Sequence, residues 1–369
     1  MDFAYTPEQE ELRALAREVL TDHATPQRVA EVEASEERVD RALWAALANA
    51  GLLGIAVPEE HGGSGLGMVE LGILLEEIGR AVAPVPFSSS VCLATETIVR
   101  GGNEAQKRVW LPRLARGEVI GSLAWAEGAG NPEPLMIKAR VAGGRLSGAK
   151  WPVADAGIAD FSLVAARDER DEVVLVLADL RAEGVQRNDL QTVDPTRNHA
   201  RIEFARTPVE RLPGDGWDLL RGLLDGAAVL MAFEQIGGAA AALVMATEYA
   251  KQRYAFGRPI GSFQAIKHKL ADVYIANELA RSNAYYGAWA LSRGAAELPL
   301  AAAAARVSAT DAFWLAAKEN IQTHGGMGFT WAADCHLFYR RAKLTSLALG
   351  SNGWWKNRLV GELERRNAA

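Results

Sequence analysis

Apolar and polar positions follow two different rhythms along this chain, and the rhythm changes twice. Up to about residue 118 the spacing is helical. Thr6, Pro7 and Gln9 form a start signal: a hydroxyl cap, a proline at the first helical position and an amide three residues on. Leu12, Leu15, Ala16, Val19 and Leu20 then fall on one face. A second amphipathic stretch covers 40–53 and stops at Gly54, and the glycine-rich, acidic run VPEEHGGSGLG at 57–67 predicts a loop. Further helices are predicted over 68–80, 88–101 and 104–117, the last closing on Gly117.

From residue 119 the pattern shortens into segments rich in β-branched residues, such as FSLVAARD, VVLVLADL and ARIEFARTPVERL. Gly143–Gly144 and DERD at 168–171 predict hairpin turns. Several strands within this stretch predict a small β-barrel or sandwich. From residue 214 helical spacing returns over 217–254, 262–293, 297–323 and 333–347, followed by 353–366, and long helices with short links predict an antiparallel bundle. The chain is therefore α+β in three domains: helical at 1–118, β at 119–213 and a four-helix bundle at 214–369.

Composition narrows the function classes. With 369 residues, 49% hydrophobic and 23% charged, the chain is long enough for a large buried core. The net charge of -6, with no basic run, argues against a nucleic-acid face. Two cysteines, Cys92 and Cys335, are too few for a disulfide framework and suit a reduced, cytoplasmic setting. The N-terminus carries no signal-peptide pattern, and no apolar run reads as a membrane span. The histidines have no metal-ligand spacing, and no dinucleotide-fold or phosphate-loop fingerprint occurs.

Two segments carry candidate chemistry. In RYAFGRPIGSFQ, Arg253 offers a planar fork for a diphosphate, Phe256 an aromatic surface, and Gln264 an amide for a nucleotide's polar edge. In QTHGGMGF, Gln322, Gly325, Gly326 and Gly328 mark a turn where backbone amides approach an anion closely. Glu234 is the unusual acid: it stands in the apolar run AAVLMAFEQIGGAAAALV, where a carboxylate needs a basic partner or a function. Pairing with a nearby Arg or Lys is the favoured reading, and a relocated base or a substrate contact the other. Glu248 reads as a solvated helix residue. His324 and His336, which flank the glycine turn, read first as surface or capping residues, with nucleotide contact as the other reading.

In order and spacing these two segments resemble the cofactor-gripping elements of the acyl-CoA dehydrogenase family of flavoproteins, and the α, β, α order of the whole chain is similar too. The resemblance implies FAD bound between subunits, with Arg253, Phe256, Gln264, Gln322, Gly325, Gly326 and Gly328 at its adenosine and pyrophosphate end. It also implies an acyl-CoA substrate undergoing α,β-desaturation, an electron-transfer flavoprotein as acceptor, and a dimeric or tetrameric assembly.

Three places depart from the family pattern. The family's Thr-Glu-Pro and Gly-Ser-Asp are replaced by Ala126, Glu127, Gly128 and by Asn131, Pro132, Glu133. The triplet that touches the flavin ring reads Pro152, Val153, Ala154, with Trp151 displaced by one, and Ala154 has no hydroxyl to give. The family's catalytic glutamate aligns with Leu349, which accepts no proton. The chain therefore resembles the glutamate-lacking subunit of bacterial hetero-oligomeric (steroid-type) acyl-CoA dehydrogenases, paired α2β2-fashion with a glutamate-bearing homologue. Two alternatives remain: a homomeric flavoenzyme with a relocated base such as Glu234 or altered chemistry, and a non-catalytic acyl-CoA-binding or scaffolding homologue.

Overall fold

A computed structural model describes residues 5–368. Residues 1–4, the start of the stretch read above for a signal pattern, and residue 369 lie outside the described residues. In chain order the helices α1 (Pro7–His23), α2 (Pro26–Glu33), α3 (Arg41–Asn49), α4 (Met68–Arg80), α5 (Glu96–Gly101) and α6 (Glu104–Ala115) come first. The strands β1 (Gly121–Ala124), β2 (Arg140–Ala142), β3 (Arg145–Ala154), β4 (Phe161–Arg167), β5 (Val173–Asp179), β6 (Val185–Asp189), β7 (His199–Pro208) and β8 (Glu210–Arg211) follow. Next is the long helix α7 (Gly216–Gln252), then the small hairpin β9 (Tyr254–Ala255) and β10 (Arg258–Pro259). The chain closes with α8 (Gln264–Arg293), α9 (Leu298–His324), α10 (Cys335–Leu347) and α11 (Asn352–Ala368).

Local signals place these elements. Thr6 caps α1 in a complete capping box with Gln9, its hydroxyl accepting from the Gln9 amide at 3.3 Å and the Gln9 side chain accepting from the Thr6 amide at 3.1 Å. Gly143 and Gly144 turn β2 into β3 with φ of 55° and 69°, the doubly left-handed geometry of a two-residue hairpin. Two segments differ from the predicted pattern. The short helix α2 is not among the predicted elements. Residues Phe87–Thr95, expected as ordinary α-helix, wind as a π-helix before α5 begins.

The chain gathers into two compact units. One comprises the residues up to 26, 68–83 and 228 onward; the other comprises 27–67 and 84–227. In the second unit the eight strands join a single sheet in the order β6-β7-β3-β2-β4-β5-β8, with β1 paired in parallel to β4. In the first unit, α7 to α10 meet over a core of small residues and one ring: Ala239, Ala242, Val273, Phe313, Ala316, Ala317 and Ala342. The small side chains let helices approach closely. A Cβ on Gly79 of α4 would lie 1.9 Å from the Glu234 carbonyl oxygen of α7, and one on Gly237 would lie 1.9 Å from that of Glu76.

α7 corrects one expectation. An 18-residue window of this helix has a mean hydropathy of 1.7, so by length and composition it is apolar enough to cross a membrane. That window is 72% buried inside the protein, which is the profile of a core helix and the physical reason for its apolarity.

Candidate functional site

The segment after α7 is a tight hairpin. The Arg253 amide donates to the Tyr249 carbonyl at 2.8 Å, and the Arg253 carbonyl accepts from Ile260 at 2.8 Å, so the arginine's backbone is fixed on both sides. Phe256 and Gly257 form the turn with φ of 54° and 80°. Glycine adopts this conformation freely; Phe256 adopts it at a cost, and its ring stands 95% exposed. Phe263 holds the hairpin from below: the Arg258 guanidinium lies 4.1 Å from its ring centre, and Phe256 meets it edge-on at 6.2 Å. Arg253 is exposed, and Gln264, also exposed, is the first residue of α8, where backbone amides lack helical partners.

The glycine turn closes α9. Its three glycines do different things. Gly325 takes φ of 59°, and a Cβ added to it or to Gly326 would meet nothing within 4 Å. Their missing side chains therefore clear open surface. Gly328 is a packing glycine instead, because a Cβ there would lie 2.5 Å from the Ile321 carbonyl oxygen. Gln322 is exposed, as are Phe329 and Trp331 beyond the turn.

Hairpin and glycine turn are linked by a contact the sequence does not announce. Tyr249, four residues before Arg253, stacks on His324, the residue before Gly325, with ring centres 4.1 Å apart. His324 is buried rather than on the surface, and its Nδ1 lies 2.9 Å from the Asn320 carbonyl oxygen. His324 thus takes the capping role expected of it but not the surface one, because an aromatic partner one helix away covers it. His336 does cap, its Nδ1 2.9 Å from the Ala333 carbonyl oxygen. The open glycines, the fixed arginine and the exposed aromatic ring suit the dinucleotide half of a flavin cofactor.

Leu349 is the residue that the sequence pattern aligns with the family's glutamate. Leu349 is 1% exposed, and its carbonyl accepts from the buried Trp355 indole at 2.8 Å. One turn earlier the Thr345 carbonyl accepts from Arg306, whose guanidinium also donates to Gln235 at 3.1 Å. Burial pushes Arg306 down to about 10, with Glu234 opposing. Glu234 is itself 1% exposed and sits 3.2 Å from Arg341, which also reaches the Val82 carbonyl at 3.4 Å. Glu248, by contrast, is exposed and pairs with Lys251 at 2.6 Å.

In the other unit, pairing of β3 with β7 shifts register between Lys150 and Val153, so Trp151 and Pro152 form a bulge opposite one residue. The bulge leaves Trp151 38% exposed with the Arg201 guanidinium 5.8 Å from its ring, while Val153 turns inward. Ala154 ends the strand without a hydrogen-bonding side chain. Among the described residues no cluster of three or more His, Cys, Asp or Glu is arranged to hold a metal.

Two family models match the chain: the acyl-CoA dehydrogenase N-terminal domain over residues 6–118 and the acyl-CoA dehydrogenase C-terminal domain over residues 214–361. Acyl-CoA dehydrogenase IpdE2 of Mycobacterium tuberculosis is 33% identical over 357 residues, 96% of this chain and 97% of the relative. A solved variant of the Tcur3481–Tcur3483 steroid ACAD is 35% identical, with a TM-score of 0.91 over 98% of this chain and 99% of that one. The ChsE4–ChsE5 complex from M. tuberculosis contains a chain 29% identical, with a TM-score of 0.90 over 99% of each.

Proposed function

The chain belongs to the acyl-CoA dehydrogenase family, and we propose that it serves as the FAD-gripping subunit that lacks its own base, paired with a glutamate-bearing homologue. The observation that supports this reading is Leu349, an apolar side chain 1% exposed, which the sequence pattern aligns with the family's proton acceptor. A positioned general base is worth about 10²–10⁴ in rate, or about 3–5 kcal/mol. Glu234, the other candidate base, is occupied with Arg341 at 3.2 Å.

In this reading Arg253 binds the cofactor diphosphate by charge-assisted hydrogen bonds, Phe256 packs on it, and Gln264 and Gln322 meet polar edges. The amides around Gly325, Gly326 and Gly328 receive phosphate oxygens. Bound FAD supplies the acceptor for the hydride that leaves the acyl β-carbon. This chain's residues hold one end of that cofactor; the partner's carboxylate takes the α-proton. The exposed Phe256, Phe329 and Trp331 give apolar surface for the partner. Two relatives named above are described as pairs, Tcur3481–Tcur3483 and ChsE4–ChsE5. The likeness to the Tcur3481–Tcur3483 steroid ACAD supports a bulky acyl-CoA ester as substrate; the acceptor in this reading is an electron-transfer flavoprotein.

Co-expression with a homologue encoded beside this gene tests the reading. The pair should co-purify yellow and bleach on addition of an acyl-CoA, and the lone chain should be colourless. A lone chain that retains a full complement of flavin and bleaches with acyl-CoA would sink it.

A further inference from the structure

One oxygen of a single carboxylate closes the loop 128–137. Glu127 Oε1 accepts from the backbone amides of Lys138 at 2.8 Å and Ala139 at 2.9 Å, and from Lys150 Nζ at 2.6 Å. Glu127 stands at the near end of the loop, Lys138 and Ala139 at the far end, and Lys150 on β3. The oxygen therefore ties both ends of the loop to the sheet. Lys150 is fully buried and also donates to the Trp125 carbonyl at 3.4 Å. Two backbone bonds continue the neck: Gly128 donates to the Trp151 carbonyl at 2.8 Å, and Trp151 to the Ala126 carbonyl at 2.9 Å. Arg167 braces the far side, donating to the carbonyls of Ile137 at 2.9 Å and Pro134 at 2.8 Å.

Between this loop and the first turn of α7 lies a narrow slot lined by Trp125, Met136, Ile137, Trp217 and Leu220, with room of about 10 Å³. That is about one water. We propose that Glu127 and Lys150 are positioning residues that tie the neck of loop 128–137 and thereby set the width of this slot. A buried ammonium is costly unless its partner is well placed, so a pair this deep holds its elements in one arrangement. Burial pushes the Lys150 ammonium down to about 8, with Glu127 opposing. The loop sequence Asn131, Pro132, Glu133 departs from the family pattern while Glu127 keeps the family's acid. Any link of this loop to the cofactor rests on the function proposed above; the tie itself does not.

Hydrogen exchange of the full-length chain reads the tie directly. In the native sequence the Lys138 and Ala139 amides should be as protected as those of β3; exchange at the rate of an open loop overturns the proposal without any variant. Glu127→Ala strands a buried ammonium and is expected to fold poorly, so the informative variant is Glu127→Ala with Lys150→Met. It should melt close to the native chain while the amides of 129–139 exchange at least tenfold faster, and Glu127→Gln with Lys150→Met should restore part of the protection. A folded Glu127→Ala/Lys150→Met chain with loop exchange within twofold of native rejects the idea. Flavin retention by the same variants, co-expressed with the partner, reports on the functional reading separately. A loosened loop with unchanged flavin keeps the tie and removes its link to the cofactor.

Discussion

Tyr249 of α7 and His324 of α9 stack at 4.1 Å with their planes 27° apart, although 75 residues separate them in the chain. The stack brings the end of the helix that leads into Arg253 beside the end of the helix that leads into Gly325. An aromatic pair adds about 0.5–1.5 kcal/mol beyond the area it buries. Tyr249→Leu should therefore destabilise the chain by about 1 kcal/mol in urea unfolding and weaken flavin retention in the complex, and Tyr249→Phe should do neither. Equal behaviour of the two variants would remove the clasp from the account.

Arg253 is exposed, and the anchors of the hairpin are backbone bonds that survive loss of its side chain. Arg253→Ala should change stability by no more than about 0.5 kcal/mol. It should nevertheless lower the flavin-to-protein ratio of the purified complex. An unchanged ratio, read from the absorbance spectrum, would rule out its grip on the diphosphate.

Arg341 and Glu234 are both buried. Removing one partner leaves a buried charge, so Arg341→Met should cost about 3–5 kcal/mol. Combining it with Glu234→Leu should recover only part of that loss, because it removes the stranded carboxylate but also the charge that opposes the burial of Arg306. Chemical denaturation of the single and the double variant measures both numbers. A single-variant cost under about 1 kcal/mol would mean that the pair does not hold the bundle.

Glu96 is buried at the start of α5, its Oε1 has no hydrogen-bond partner, and burial raises its carboxyl from 4.5 to about 7, with Arg100 opposing. The folded chain keeps a proton that the unfolded chain releases between these two values. Stability should therefore fall as pH rises from 4.5 to 7 and level off above, by about 3 kcal/mol at about 1.4 kcal/mol per unit. Glu96→Gln should flatten this part of the profile and stabilise the chain at pH 8 but not at pH 4. A profile of the same shape in the variant would assign the effect elsewhere.

Leu349→Glu puts a carboxyl into an apolar place whose backbone is already held by Trp355. The expected result in the lone chain is a less stable protein with no acyl-CoA dehydrogenation, since on the proposed reading the lone chain holds only one end of the cofactor and retains no flavin. Turnover by that variant, followed by flavin bleaching, would show that the remainder of a working site is intact.

Local signals along the chain were enough to locate most elements. The capping box at Thr6, the Gly143–Gly144 turn and the ends of α7 to α10 are each decided by a few neighbouring residues, and the helical period of the apolar positions does the rest. The same short range made Arg253, the glycine turn and Leu349 visible as candidates, because their spacing is a property of the chain. It failed where the winding of a segment depends on its surroundings: Phe87–Thr95 has an ordinary helical pattern yet winds as a π-helix.

Partnership was not legible in this way. Glu234 signalled that it needed a cation, but only the fold selected Arg341, 107 residues away. Nothing local told Lys150 to enter the core beside Glu127, or His324 to turn inward against Tyr249. Periodicity reports which face of an element leaves water. Which side chain it meets there depends on how separate elements pack, and that is settled only when desolvation of a charge or ring is offset by a partner brought from far along the chain.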